Sequence, residues 1–300
     1  MSNLKVQETN NFLEILENIL KHKNPKVQSI GVRQVEKLAN KELVQDVNII
    51  MMIIDCLQSK ETSVGTPCIG ILVTMLSNNN FLDYQNIKSK LELTLNETDD
   101  IIRCRSYNVA VGLATKNAFL LEKVDFLLQR VLSEFEKKDL LLQLNILELL
   151  KDLCLEAHGL VYLENKGTIE KLLRKIETIE EDPLAVVLIP GLMKFFGNMA
   201  ITDPDKIINS YPAMITSLFN CLISEDFQLL YTGFDTLGHI SREPNGKIVL
   251  NNIPGDGFVN VLRNIVRSIP NYPSELKTRS VICLANVFHI DPSLVTSQIT

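Results

Sequence analysis

The feature that most constrains this chain is a long-period rhythm. Short polar breaks leading into strongly apolar stretches recur at Pro25-Lys26-Val27, Thr62-Ser63-Val64, Asp100-Ile101-Ile102, Asp139-Leu140-Leu141, Pro183-Leu184, Asp226-Phe227 and Ser274-Glu275-Leu276. These seven entries lie about 37 to 48 residues apart. Within each interval Leu and Ile recur at spacings of three and four, the helical period, and do not alternate as they would in strands. Phe12, Leu13, Ile15, Leu16, Ile19 and Leu20 form one such face, which stops at Asn24-Pro25, where the residue before proline is pushed out of the α region. Only 13 glycines and 11 prolines interrupt 300 residues. The chain therefore reads as all-α.

A unit of this length cannot bury its apolar face alone and must stack on its neighbours; roughly 40 to 47 residues is the period of HEAT and armadillo units, and is too long for tetratricopeptide or ankyrin repeats. The expectation is a right-handed α-solenoid of about seven HEAT/armadillo-like helix-pair repeats in one domain spanning 1–300. Approximate repeats fall at 8–41, 42–78, 82–117, 118–158, 159–202, 204–242 and 243–290, with Asp291-Pro292 opening a further helix.

Composition narrows the function classes. An apolar fraction of 46% with 22% charged residues and net charge −6 describes a soluble globular chain and excludes a disordered one. Apolar runs such as 49–54 fall short of the roughly 18 residues that a membrane-spanning helix needs. The polar start, Met1 to Glu8, lacks the apolar core of a secretory signal, and six scattered cysteines form no disulfide framework. The expected location is the cytosol, with the nucleus also open to the chain. A pI near 5.4 disfavours a phosphate-tracking nucleic-acid binder.

Stacking also predicts a surface. The inner helix of each repeat packs against its partner and both neighbours, leaving one narrow polar strip. Residues 140–156 are leucine-rich, with Asn145, Glu148, Asp152 and Glu156 on one edge. Equivalent strips run through Ser29, Arg33, Glu36 and Asn40; Arg105, Asn108, Gly112 and Thr115; Lys194 and Asn198; and Gln228, Thr232, Asp235, His239 and Arg242. Each residue alone reads as a solvated helix edge. In file, the strips would form a wall for a protein partner.

Signs of catalysis are missing. Gly65-Thr66-Pro67-Cys68-Ile69-Gly70 has P-loop spacing, but Ile71 and Leu72 stand where Lys and Ser or Thr would hold phosphate and magnesium. No Cys-x-x-Cys, His-Glu-x-x-His or Gly-x-Ser-x-Gly occurs. Cys56, Cys68, Cys104, Cys154, Cys221 and Cys283 each sit singly in an apolar segment and read as core residues. The acids of Asp99-Asp100 and Glu180-Glu181-Asp182 read as helix caps. A non-enzymatic chain without cofactor or metal is expected.

One stretch breaks the helical pattern with a proline and two glycines: Ile189-Pro190-Gly191-Leu192-Met193-Lys194-Phe195-Phe196-Gly197-Asn198-Met199-Ala200. Proline should kink or restart the helix near Ile189. Gly191 and Gly197 would admit either a closely packed helix or a partner. This stretch resembles the signature of the 26S proteasome non-ATPase regulatory subunit 5 family. His158-Gly159 with Tyr162-Leu163 and Gly167, Ser210-Tyr211-Pro212, Asp235-Thr236-Leu237-Gly238, Gly246-Lys247 with Val249-Leu250, and Glu275-Leu276-Lys277 with Arg279 are similar to that family in order and spacing. Upstream, Asp100-Ile101-Ile102-Arg103 with Arg105 and Tyr107 also fits. Family members are longer, which makes this chain a shortened member or a fragment.

The resemblance implies an assembly chaperone of the proteasome regulatory particle, a monomer when free. It would hold the C-terminal domain of a ring AAA ATPase, in a module with a second ATPase and a scaffold subunit, and delay docking on the 20S core. Arg103, Arg105, Lys194, Asn198, Asp235, His239 and Arg279 are the residues expected at the ATPase contact. The other reading is a helical-repeat adaptor, such as a transport receptor or signalling scaffold.

Overall fold

A computed structural model describes residues 12–39, 46–77, 80–97, 99–137, 139–177, 185–252 and 257–295. The expected helix entry at Pro183-Leu184, the strip residue Asn40 and the acids Glu180, Glu181 and Asp182 lie outside these residues. Helices and turns account for the regular structure of the described residues, with no strand among them. No single helix among them is long and apolar enough to cross a membrane.

The chain divides into two compact units, Met1–Glu136 and Lys137–Thr300. The boundary falls inside the stretch expected as one repeat, 118–158. The first unit holds α1 (12–20), α2 (Pro25–Ala39), α3 (Val47–Leu57), α4 (Thr62–Ser77), α5 (Gln85–Thr94), α6 (Asp100–Ala114), α7 (Ala118–Lys123) and α8 (Asp125–Phe135). In the second lie α9 (Leu140–Cys154), α10 (Ala157–Asn165), α11 (Thr168–Glu177), α12 (Ile189–Thr202), α13 (Pro204–Ser210), α14 (Pro212–Leu222), α15 (Phe227–Ile240), α16 (Pro244–Asn251), α17 (Gly257–Ser268) and α18 (Ser274–Ile290). A helical turn at 293–295 follows Asp291-Pro292.

Each unit is a file of helical repeats, the α-solenoid architecture. In the first, α4 packs against both α2 and α6; in the second, α9, α12, α15 and α18 pack successively. The expected helix pair is seen in the first three repeats, as α1 with α2, α3 with α4 and α5 with α6; in the last four the outer helix is split into a short and a longer piece, making a trio: α7 and α8, α10 and α11, α13 and α14, α16 and α17. The breaks have local causes. Between α10 and α11 Gly167 takes a positive φ of 67°, which glycine adopts without a Cβ penalty. Between α13 and α14 Tyr211 precedes Pro212, and proline fits the first turn of the new helix, where an amide lacks a partner anyway.

The inner helices begin as their sequences predict. Asp99, Asp139 and Asp226 sit just before α6, α9 and α15 and accept hydrogen bonds from amides of the first turn. Each satisfies donors that would otherwise be orphaned. Pro190 occupies the first turn of α12 behind a 3-10 turn at Ala185–Leu188, so the helix restarts there and is not kinked. Gly191 and Gly197 face different neighbours: a Cβ at 191 would lie 3.1 Å from Leu147 Cδ1 on α9, and one at 197 would lie 3.3 Å from Thr236 Cγ2 on α15. Both glycines therefore serve close helix packing. The P-loop-like run lies inside α4, with Pro67 and Cys68 within the helix.

Candidate protein-binding wall

In α9, α12, α15 and α18 the apolar faces turn inward; Phe195, Phe196 and Phe234 are no more than 1% exposed. What remains outside is the predicted strip. On α9, Asn145, Glu148 and Asp152 are exposed, as is Glu156 just past its end. On α12 Lys194 is exposed and Asn198 buried. Along α15 Gln228 and Asp235 are exposed and His239 is half-buried, while Thr232 is buried and donates to Gln228 O of its own helix at 2.9 Å. Arg279 of α18 is half-buried, with Glu275 exposed one turn earlier.

These strips are tied together one repeat apart. Asn198 Nδ2 donates to Lys151 O at 2.9 Å, and Asn198 Oδ1 lies 2.8 Å from His239 Nε2. With the amide so placed, Nε2 of His239 carries the proton and donates. Burial, with Arg242 nearby, pushes the His239 pKa below its ordinary value, keeping the ring neutral near pH 7. Asn286 Nδ2 of α18 donates to Gly238 O at 3.2 Å. Arg279 pairs with Asp235 across the α15–α18 boundary, reaches Glu275 at 3.5 Å and lies 5.1 Å from the centre of the Tyr231 ring.

Two adjoining clefts open between these helices, about 280 Å³ and 350 Å³ in volume. Lys194, Asp235 and Thr236 line both, joining them into one trough. Lys151 pairs with Glu148 at the α9 edge, and burial pushes the Asp152 carboxyl upward. Lys194 has no acid within ion-pair distance among the described residues. The trough offers charges of both signs and hydrogen-bonding groups on a framework fixed by inter-repeat bonds. Among the described residues no cluster of three or more His, Cys, Asp or Glu is placed to hold a metal ion.

The structure thus brings Lys194, Asn198, Asp235, His239 and Arg279 together. It gives the two α6 arginines other tasks. Arg103 pairs with Asp100 and donates from Nη1 to Glu97 O at 3.1 Å, tying down the start of its own helix. Arg105 is only 4% exposed and donates from Nη1 to Leu57 O at 3.0 Å and Ser59 O at 2.5 Å. It faces α3 and α4, so it is removed from the contact set. Gly112 also turns toward α4, where a Cβ would lie 2.9 Å from Val73 Cγ2. Sequence reasoning missed Lys151, Tyr231 and Glu275 as trough residues. Tyr231 and Glu275 each lie one helical turn before a residue it chose, Asp235 and Arg279, and that spacing is the signal that could have found them.

The profile of the family described as proteasome non-ATPase 26S subunit matches residues 2–300. The chain belongs to that family. Relatives named 26S proteasome non-ATPase regulatory subunit 5 include the Drosophila melanogaster protein, 38% identical over 225 residues, which cover 75% of this chain and 43% of that one. The Homo sapiens protein is 25% identical over 301 residues, covering 95% of this chain and 58% of that one. The chain therefore spans about half the length of these family members. Its fold is similar to a chain from a structure of Kap95p with RanGDP, with a TM-score of 0.69 at 12% identity, covering 98% of this chain and 39% of that one. Several family-like residues have structural tasks here: Gly159 and Gly246 allow the outer helices to cross the ends of α9 and α15.

Proposed function

We propose that this chain is a non-catalytic chaperone for assembly of the 26S proteasome regulatory-particle base, and that the trough on α9, α12, α15 and α18 holds the C-terminal domain of a proteasomal AAA ATPase. The observation that carries the reading is the family match over 2–300, joined to a repeat wall whose polar strips are aligned and open. A second base ATPase and a scaffold subunit would share the module. Occupying the ATPase C-terminal domain would block its docking on the 20S core until the chaperone leaves. Lys194, Asp235, His239 and Arg279 would make the contact, with Asn198 holding His239 in place.

Reversing two trough charges together, Lys194→Glu with Asp235→Lys, tests the wall. The expected result is at least a tenfold loss of affinity for the ATPase C-terminal domain, about 1.4 kcal/mol, measured by calorimetry. Helicity and melting should stay near those of the parent, because both residues are exposed and an exposed ion pair contributes at most about 1 kcal/mol. Unchanged affinity would place the contact elsewhere. Co-purification of proteasomal ATPases without the 20S core separates this reading from a helical-repeat transport adaptor, which the fold likeness to the Kap95p–RanGDP chain keeps as the second reading.

A further inference from the structure

The trough is electrically unlike the chain that carries it. A third cleft, of about 440 Å³, opens where α15 meets α18, and Asp235 lines all three. Four cations line the three clefts, Lys151, Lys194, Arg242 and Arg279, against three carboxylates, those of Asp152, Asp235 and Glu275. In the whole chain the acids lead, with 36 Asp and Glu against 30 Lys and Arg. The positive excess is therefore local. It acts locally too, because exposed charges more than about 8 Å apart are largely screened at physiological salt.

Pairing sharpens the difference. Arg279 holds Asp235 and reaches Glu275, while Lys151 holds Glu148 and its charge also acts on Asp152. Lys194 and Arg242 are exposed and have no carboxylate within ion-pair distance among the described residues. An incoming base would have to compete with Arg279 for Asp235, or with Lys151 for Glu148. An incoming carboxylate displaces nothing at Lys194 or Arg242, and gains charge-assisted hydrogen bonds at both. Lys194 shares two clefts with Asp235, and Arg242 follows Asp235 by seven residues, just past the end of α15. Seven residues rise about 10 Å along a helix, a distance that about three residues of extended chain cover.

We propose that the trough recognises an acidic segment of its partner: two Asp or Glu side chains about three residues apart in an extended stretch, one seated on Lys194 and the other on Arg242. These two cations set the specificity, and the segment belongs to the ATPase C-terminal domain. The proposal rests on the assembly reading for the protein that carries the segment, and on the charges of the trough for its chemistry.

Two measurements on the full chain test it. Calorimetry compares binding of the ATPase C-terminal domain by the parent, Lys194→Glu, Arg242→Glu and Lys247→Glu, the last making the same charge change on α16, outside the trough. Each trough reversal is expected to weaken binding about tenfold and to reduce its salt dependence, while Lys247→Glu stays within about twofold of the parent. Fluorescence anisotropy compares two labelled synthetic peptides, one with a Glu-Ala-Leu-Glu core and one with Lys-Ala-Leu-Lys. The parent should bind the glutamate peptide about tenfold more tightly, and the double variant Lys194→Glu with Arg242→Glu should lose that preference. Domain binding equally tight in all four chains, or a lysine peptide bound as well as the glutamate one, would overturn the acidic-segment proposal and leave the assembly reading standing. A parent that prefers the glutamate peptide yet ignores the ATPase domain would overturn the assembly reading and support the preference for acids.

Discussion

Gly246→Ala is expected to destabilise the second unit by about 3 kcal/mol or more, the upper range for forced overpacking. The reason is a backbone collision. A Cβ at 246 would lie 1.8 Å from Ile240 O and 2.7 Å from its carbonyl carbon, and neither can rotate away. α16 would have to lift off the end of α15, opening the seam where α13 and α12 also pack against it. Gly159 stands in the same relation to α9, with a Cβ 2.1 Å from Leu153 O, so Gly159→Ala should behave alike. Gly70 is the control: it lies within α4 with nothing within 4 Å of its would-be Cβ, and Gly70→Ala should stabilise by about 0.5–1 kcal/mol. Urea unfolding of the three variants checks all of this. A Gly246→Ala midpoint equal to that of the parent would mean that the α15–α16 crossing is wrong.

The second large effect is Phe195→Ala, expected to cost about 3–5 kcal/mol through lost burial and an unfilled cavity. Phe195 is 0% exposed, and its ring meets Phe196 edge-on at 5.5 Å between centroids. It lies on α12, which packs on both α9 and α15, so the cavity opens at the centre of the unit. Phe227, 49% exposed at the start of α15, should tolerate alanine within about 0.5 kcal/mol. Denaturant midpoints of the two variants, read by helical circular dichroism, give the comparison. Equal losses at both positions would contradict the burial pattern.

Much of this architecture was legible in the sequence because the helical period and the caps are local. The leucine-rich run of α9 displays its own exposed edge, and Asp99, Asp139 and Asp226 mark helix starts without reference to anything distant. Arg105 was misread for the opposite reason. On a helical wheel it sits among polar neighbours, but its partners, Leu57 and Ser59, lie one repeat earlier. Only stacking brings them within reach. The split outer helices turn on single residues such as Gly167, which a periodicity reading averages away.

The central claim is that the aligned polar strips of α9, α12, α15 and α18 grip the ATPase C-terminal domain. Amine-directed cross-linking of the complex, read by mass spectrometry, tests it most directly. The account predicts links from Lys194 and Lys151, which line the trough, and protection of both lysines from acetylation when the ATPase domain is bound. Links confined to Lys171 on α11 and Lys247 on α16, with Lys194 still freely acetylated, would contradict it.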